Sequence, residues 1–208
     1  MPNKALLPLA DGKTIVIESS IAMLQSAGCQ RLVMVVSPGP NVLKEILWKR
    51  EHQDIEYVVQ PAPFGVADAI SRAAPLCPHG SIVAFSDNVY GELRALPNPL
   101  GPAAPAAPAA TTVSARLDQP HLDYYNRHEK QWKARPAPKG SDVMAGFLLL
   151  RQEDMTRGLP DMGMTSFLNR IHAAQIPLPC KSWADVGTFD SYARYLGLET
   201  SDGDDTCE

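Results

Sequence analysis

The chain has 208 residues, 45% of them hydrophobic, which suits one domain with a buried core and allows a small appended subdomain. Its 23 acidic and 19 basic residues give a net charge of -4 with no Lys/Arg cluster, which excludes the electrostatic footprint of a nucleic-acid binder. No apolar run nears the roughly 18 residues of a membrane span, no apolar leader follows Met1, and the scattered Cys29, Cys77, Cys180 and Cys207 read as reduced thiols, so a cytoplasmic, membrane-free protein is expected.

Residues 15–27 carry Ile17, Ile21 and Leu24 near helical spacing and stop at Gly28, which predicts a helix. The run RLVMVV at 31–36 predicts a buried strand, and 41–49 a helix capped by Asn41. A strand at 55–59, a helix at 66–74 and a strand at 82–85 follow. This alternation predicts an α/β fold with a largely parallel, doubly wound sheet.

The pattern breaks at 97–112, PNPLGPAAPAAPAATT, which reads as an exposed Pro/Ala connector, neither helix nor internal strand. Residues 112–117 follow it, then a polar region at 118–133 and a strongly apolar strand candidate at 143–150. Helices are expected at 166–174 and 189–198, and a frayed acidic tail at 199–208.

The richest stretch is 60–90, where an apolar run gives way to Gln60, a Pro-Gly loop, an Ala-rich helix, and a second apolar run ending on Asp87. A strand that stops on a carboxylate presents it at the carboxyl edge of the sheet, where ligands bind in open α/β folds. Asp87 would serve there as a metal ligand or as a turn cap. Asp185, in WADVGTFDSYARY, stands just outside a helix whose N-cap is Thr188, and capping chemistry explains it as well as metal binding does. Two carboxylates could share one Mg²⁺ together with substrate phosphates, although spacing alone does not bring them together. Lys4 could reach a phosphate as a point charge or simply be an exposed lysine. The basic residues Lys130, Lys133, Arg135 and Lys139 suit a solvated face better than a phosphate site, and the five histidines show no ligand-like pairing.

Taken in order, NKALLPLADGKTIVIESSIAMLQSAGCQRLVMVVS, QPAPFGVADAI, FSDNVYG, SDVMAGFLLL and WADVGTFDSYARY resemble segments of the sugar-1-phosphate nucleotidyltransferases, in particular the glucose-1-phosphate thymidylyltransferase and uridylyltransferase branch. The resemblance spans most of the chain. It implies a Rossmann-like, GT-A-type fold over residues 1–198 with a small sugar-binding β subdomain, and the reaction of a nucleoside triphosphate with a sugar 1-phosphate to give a nucleotide-sugar and pyrophosphate. It further implies that Gln60 and Gly65 contact the nucleobase, with Asp87 beside the nucleotide. Asp87 and Asp185 would hold Mg²⁺, Lys4 would bind a phosphate at the reacting centre, and Gly146 and Arg135 would line the sugar side.

Two departures from the family pattern shape the expectations. The family's opening strand and Gly-rich loop, of the form GxGTRLxPxT, have no counterpart ahead of Lys4, which predicts weakened triphosphate binding and a gap in the sheet. Where the family carries Glu-Lys-Pro, this chain has Ala134-Arg135-Pro136. A non-catalytic regulatory or scaffold homologue, paired with a full-length enzyme or with itself, is the alternative from another class. A nucleotide-sugar-dependent glycosyltransferase is a weaker one, because Asp87-Asn88-Val89 is not an Asp-x-Asp pair.

Overall fold

The structure is a computed structural model that describes residues 3–91, 110–116, 122–177 and 182–198. Residues 97–109 of the expected connector, the tail at 199–208, His121, Cys180 and Cys207 lie outside the described residues.

A short 3-10 turn at Lys4–Leu6 leads to helix α1 (Val16–Ser26), then strand β1 (Leu32–Val36), helix α2 (Val42–Lys49), strand β2 (Ile55–Val59) and helix α3 (Gly65–Ala73). Strands β3 (Ser81–Ala84), β4 (Asn88–Tyr90), β5 (Ala110–Arg116), β6 (Tyr124–Asn126), β7 (Gln131–Lys133) and β8 (Asp142–Leu150) follow. The chain continues through helices α4 (Gln152–Met155) and α5 (Met164–Arg170), strands β9 (Ala174–Pro177) and β10 (Trp183–Asp185), and helix α6 (Phe189–Tyr195).

Local chemistry sets the helix ends. Glu18 reaches back to accept the Ile15 amide at 2.9 Å, starting α1, and Gly28 at φ +88° ends it while the Cys29 amide bonds Leu24 O at 3.0 Å. Asn41 caps α2 through the Lys44 amide at 3.1 Å, as its position before the apolar run predicts. Thr188 accepts the Ser191 amide at 3.0 Å and starts α6.

β8 is the spine of the molecule. It pairs antiparallel with β3, β5 and β6, and eight of its nine residues are buried. β5 also runs parallel to β9, while β1 and β2 form a separate parallel pair and β4 and β10 a separate antiparallel one. The sheet is therefore mixed, with the parallel character of residues 32–84 residing in the β1–β2 pair. β1 and β3 each pair on one edge only among the described residues.

The main core joins α3, α5 and β8 through Leu148, Leu150, Phe167, Leu168, Ile171 and Trp132, whose indole N–H is satisfied by Ala173 O at 3.2 Å. A second core packs α1 and α2 on the β1–β2 pair through Ile17, Ile21, Leu43, Leu47 and Ile55.

Two expectations need correction. Residues 110–112 belong to β5, an internal strand flanked by β8 and β9, because beyond Pro108 every residue keeps its N–H and Thr111 and Thr112 are β-branched. The helix expected at 166–174 ends at Arg170: Ala173 N bonds Leu168 O at 2.9 Å, His172 turns at φ +51°, and Ala174 opens β9.

Candidate functional site

β3 runs through Phe85 and Ser86 to Asp87, and β4 begins at the next residue. β10 lies antiparallel to β4 with Asp185 opposite Asn88, and Val186 N donates to Asp87 O at 2.9 Å. This pairing is what the sequence left open: it brings the two aspartates to one corner. Gly187 N donates to Asp185 Oδ1 at 2.6 Å. A methyl group on Gly187 would sit 2.7 Å from Asp185 Oδ1 and 3.0 Å from Asp87 Oδ2, so both carboxylates crowd the space that a side chain there would fill. Lys4, half-buried, donates its ammonium to Gly187 O, and its charge is felt at Asp87.

Burial, and after it the neighbouring Asp185, push the Asp87 carboxyl above the usual carboxylate range; a backbone hydrogen bond, Lys4 and Asn88 offset part of this. A cation between the carboxylates would relieve the repulsion.

Asn88 holds the corner in shape. It is 3% exposed, donates through Nδ2 to Asp87 Oδ1 at 3.1 Å, and accepts from Trp183 Nε1 at 2.8 Å. Its amide packs on Gly146, where a Cβ would lie 2.7 Å from Nδ2. Gly146 sits where the β5–β8 register shifts, at φ +62°, and its carbonyl accepts Phe85 N and Tyr90 Oη, both at 2.9 Å. Both the bulge and the close approach call for glycine. From the other side α1 clamps the corner: Ser20 Oγ donates to Phe85 O at 2.9 Å, and Ser19 Oγ accepts Tyr90 N at 2.8 Å.

Gln60 and Gly65 form a second group at the end of β2. Gln60 Nε2 donates to Gly65 O at 2.9 Å and to Asp68 Oδ2 at 2.8 Å, and Arg72 holds the same oxygen at 2.6 Å. Gly65, exposed and at φ +85°, opens α3. Arg135 lies elsewhere. It is exposed on the segment after β7, its amide donates to Asp123 Oδ1 at 3.3 Å, and Thr165 Oγ1 donates to Asp123 Oδ2 at 2.7 Å.

The sequence reading named Lys4, Asp87, Asp185 and Gly146 but missed Asn88, Gly187 and Trp183. Gly187, two residues after a candidate ligand, was the one available signal; the roles of Asn88 and Trp183 need the β4–β10 pairing, which is too short to read. Among the described residues no cluster of three or more His, Cys, Asp or Glu side chains forms. Two converging carboxylates are nonetheless a fitting donor set for Mg²⁺, which takes one or two carboxylates and completes its shell with water and phosphate oxygens.

No protein-family model matches the sequence, and no curated protein does. Solved structures do. A protein assigned as a glucose-1-phosphate thymidylyltransferase from Bacillus anthracis, in complex with a sucrose, matches with a TM-score of 0.76 at 18% identity, covering 94% of this chain and 85% of that one. HddC from Yersinia pseudotuberculosis, complexed with GMP-PN, gives 0.71 at 14% identity over 93% of this chain and 88% of that one. The UTP-bound UGPase from Acinetobacter baumannii gives 0.65 at 16% identity over 93% and 84%. The chain therefore has the Rossmann-like α/β fold of the sugar-1-phosphate nucleotidyltransferases.

Proposed function

We propose that this chain binds a nucleoside triphosphate or nucleotide-sugar together with Mg²⁺ at the Asp87–Asp185 corner, and that its chemistry is the joining of a nucleoside triphosphate to a sugar 1-phosphate with release of pyrophosphate. The observation that carries the reading is the convergence of Asp87 and Asp185 on Gly187 beside Lys4, at the carboxyl end of β3. The neighbours bound to GMP-PN and to UTP support a nucleotide as the ligand.

Asp87 and Asp185 would hold the metal, and Asn88 keeps Asp87 from turning away. Bound Mg²⁺ supplies charge neutralisation of phosphate oxygens. Lys4, on a short turn beside the carboxylates, adds a positive charge that can swing from Gly187 O to a phosphate. Gln60 and Gly65 would receive the base, with the Gln60 amide already oriented by Asp68 and Gly65 letting a flat ring approach the backbone. Gly146 and Arg135 are assigned to the sugar side. Attack of a sugar phosphate oxygen on the α-phosphorus needs little from the protein beyond alignment and charge neutralisation.

Calorimetric titration of the chain with UTP, dTTP and GTP, with and without Mg²⁺, tests the binding reading. Mg²⁺-dependent binding that is lost in both Asp87→Asn and Asp185→Asn is expected. Metal-independent binding, or binding that survives both substitutions, would move the site elsewhere. Pyrophosphate release on adding glucose 1-phosphate separates an enzyme from a binding homologue.

A further inference from the structure

Gln60 is fixed at both ends. Its backbone N–H donates to Val36 O at 2.8 Å, continuing the β1–β2 ladder, so the sheet sets the place of its Cα. At the far end of the side chain, Nε2 donates to Gly65 O at 2.9 Å and to Asp68 Oδ2 at 2.8 Å. A carbonyl and a carboxylate only accept, so the amide has one way round, with both its hydrogens spent inside the protein. Oε1 accepts from no donor among the described residues.

Asp68 makes this orientation firm. It is 4% exposed in the first turn of α3, and Arg72, one turn further on, donates Nε to the same Oδ2 at 2.6 Å. Arg72, and after it Gln60, hold the Asp68 carboxyl below the usual carboxylate range, so it stays an ionised acceptor at neutral pH. Gly65 is fixed as well. Phe64 O accepts Asp161 N at 2.9 Å, which turns this carbonyl toward the loop ahead of α5. In a trans peptide the N–H points the opposite way, so the Gly65 N–H faces away from that loop, with no acceptor among the described residues. A ligand therefore meets one acceptor, Gln60 Oε1, beside one donor, the Gly65 N–H.

We propose that Asp68, backed by Arg72, is the positioning residue of the base subsite: it holds the Gln60 amide oxygen toward the ligand, so that the subsite takes a pyrimidine imide, uracil or thymine, over cytosine. This rests on the placement of the base at Gln60 and Gly65 proposed above. An imide has one ring N–H between two carbonyls, and it answers an acceptor beside a donor in either sense. Cytosine carries a bare N3 at that place, which sets a lone pair against Oε1. A glutamine free to turn would not discriminate, because its amide could offer an N–H to that nitrogen instead.

The test has two arms, both on the full chain. The first needs no nucleotide: hydrogen exchange of the Gln60 side-chain amide is followed by nuclear magnetic resonance, the signal being assigned by its absence in Gln60→Met. Exchange is expected to be at least about tenfold slower than in Asp68→Leu. It should stay slow in Asp68→Asn, whose amide oxygen can stand in for Oδ2 toward both donors. Equal exchange in the wild-type chain and Asp68→Leu would overturn the positioning role. If Asp68→Leu does not fold, wild-type exchange as fast as that of an exposed glutamine amide overturns it, and slow exchange upholds it.

The second arm titrates UTP and CTP in the presence of Mg²⁺. UTP is expected to bind about tenfold tighter or more, with the ratio falling to about two in Asp68→Leu and kept in Asp68→Asn. If Asp68→Leu weakens both nucleotides alike and leaves the ratio unchanged, Asp68 only supports the fold and the proposal fails. It fails too if CTP binds the wild-type chain as well as UTP does. No binding of either nucleotide by a chain whose Gln60 amide is protected would sink the nucleotide reading and the base selection with it, while the positioning of Gln60 by Asp68 would stand.

Discussion

The corner around Asp87 and the slot between β1 and β3 meet at one residue but are built in opposite ways. In the corner each polar group is tied: Asn88 to Asp87 and Trp183, Asp185 to Gly187, Ser19 and Ser20 to the backbone of the strand above them. In the slot two apolar strands face each other across a cavity with their inner edges unpaired among the described residues. The corner takes its shape from β4, β10, β8 and α1, and of these α1 also lines the slot. The corner is thus held by side-chain and backbone ties, whereas the neighbouring edges of β1 and β3 have no strand between them among the described residues.

The largest expected effect contrasts the two regions through core packing. Phe147 on β8 is 1% exposed and packs edge-on against Tyr90 at 6.3 Å, under the corner. Phe147→Ala should cost about 3–5 kcal/mol in urea unfolding. Val35→Ala, on a half-buried strand that already lines a cavity, should cost only about 1 kcal/mol. Similar losses for both would mean that the slot is as well packed as the spine.

Next comes Gly187→Ala, which sharpens the claim that the corner is tied shut. The new methyl would stand 2.7 Å from Asp185 Oδ1 and 3.0 Å from Asp87 Oδ2, so one carboxylate must turn away. Mg²⁺-dependent nucleotide affinity should fall about 10- to 100-fold, with the melting temperature little changed. Unaltered affinity would show that the carboxylates do not act together.

The two regions also differ in how far the sequence reveals them. β1, β2 and β3 are runs of apolar and β-branched residues bounded by turn signals, and the helices between them carry their own caps, so residues 15–85 can be read within a residue or two. Asp87 is legible for the same reason, as the residue on which a strand stops. The corner is harder because β4 and β10 have three residues each, too few for periodicity, and their pairing spans the chain from Asn88 to Asp185. The bulge that requires Gly146 is a register shift between β5 and β8, visible only once both strands are placed. That β1 and β3 are not paired with each other among the described residues is likewise visible only once both strands are placed.

A smaller effect lies at the start of α1, which walls the slot and clamps the corner. Glu18 accepts Arg50 Nε and Nη2, each at 2.7 Å, and its carboxyl is held down at about 2 from 4.5. Because the folded value is depressed, this contribution is complete above pH 4.5 and disappears as pH falls through about 2. Linkage alone would assign the pair about 3 kcal/mol, but Arg50 is a third exposed and solvent screening lowers the expectation to about 1–2 kcal/mol. Glu18→Gln should lose that much at pH 7 and no more than about 0.4 kcal/mol at pH 2.

The smallest effect isolates the link between α1 and the carboxyl end of β3. Ser20 is 2% exposed, and its hydroxyl donates to Phe85 O at 2.9 Å, two residues before Asp87. Its loss in Ser20→Ala should cost about 1 kcal/mol of stability, because Phe85 O is left with one fewer donor. If the corner holds itself through the Asn88 side chain and the β4–β10 pair, Mg²⁺-dependent nucleotide affinity should change by less than about twofold, since Ser20 reaches only the Asn88 carbonyl, at 3.4 Å, and none of those ties. A tenfold loss instead would make α1 a true support of Asp87. The two regions would then be coupled through this helix, which lines the slot with Ile21 and Leu24.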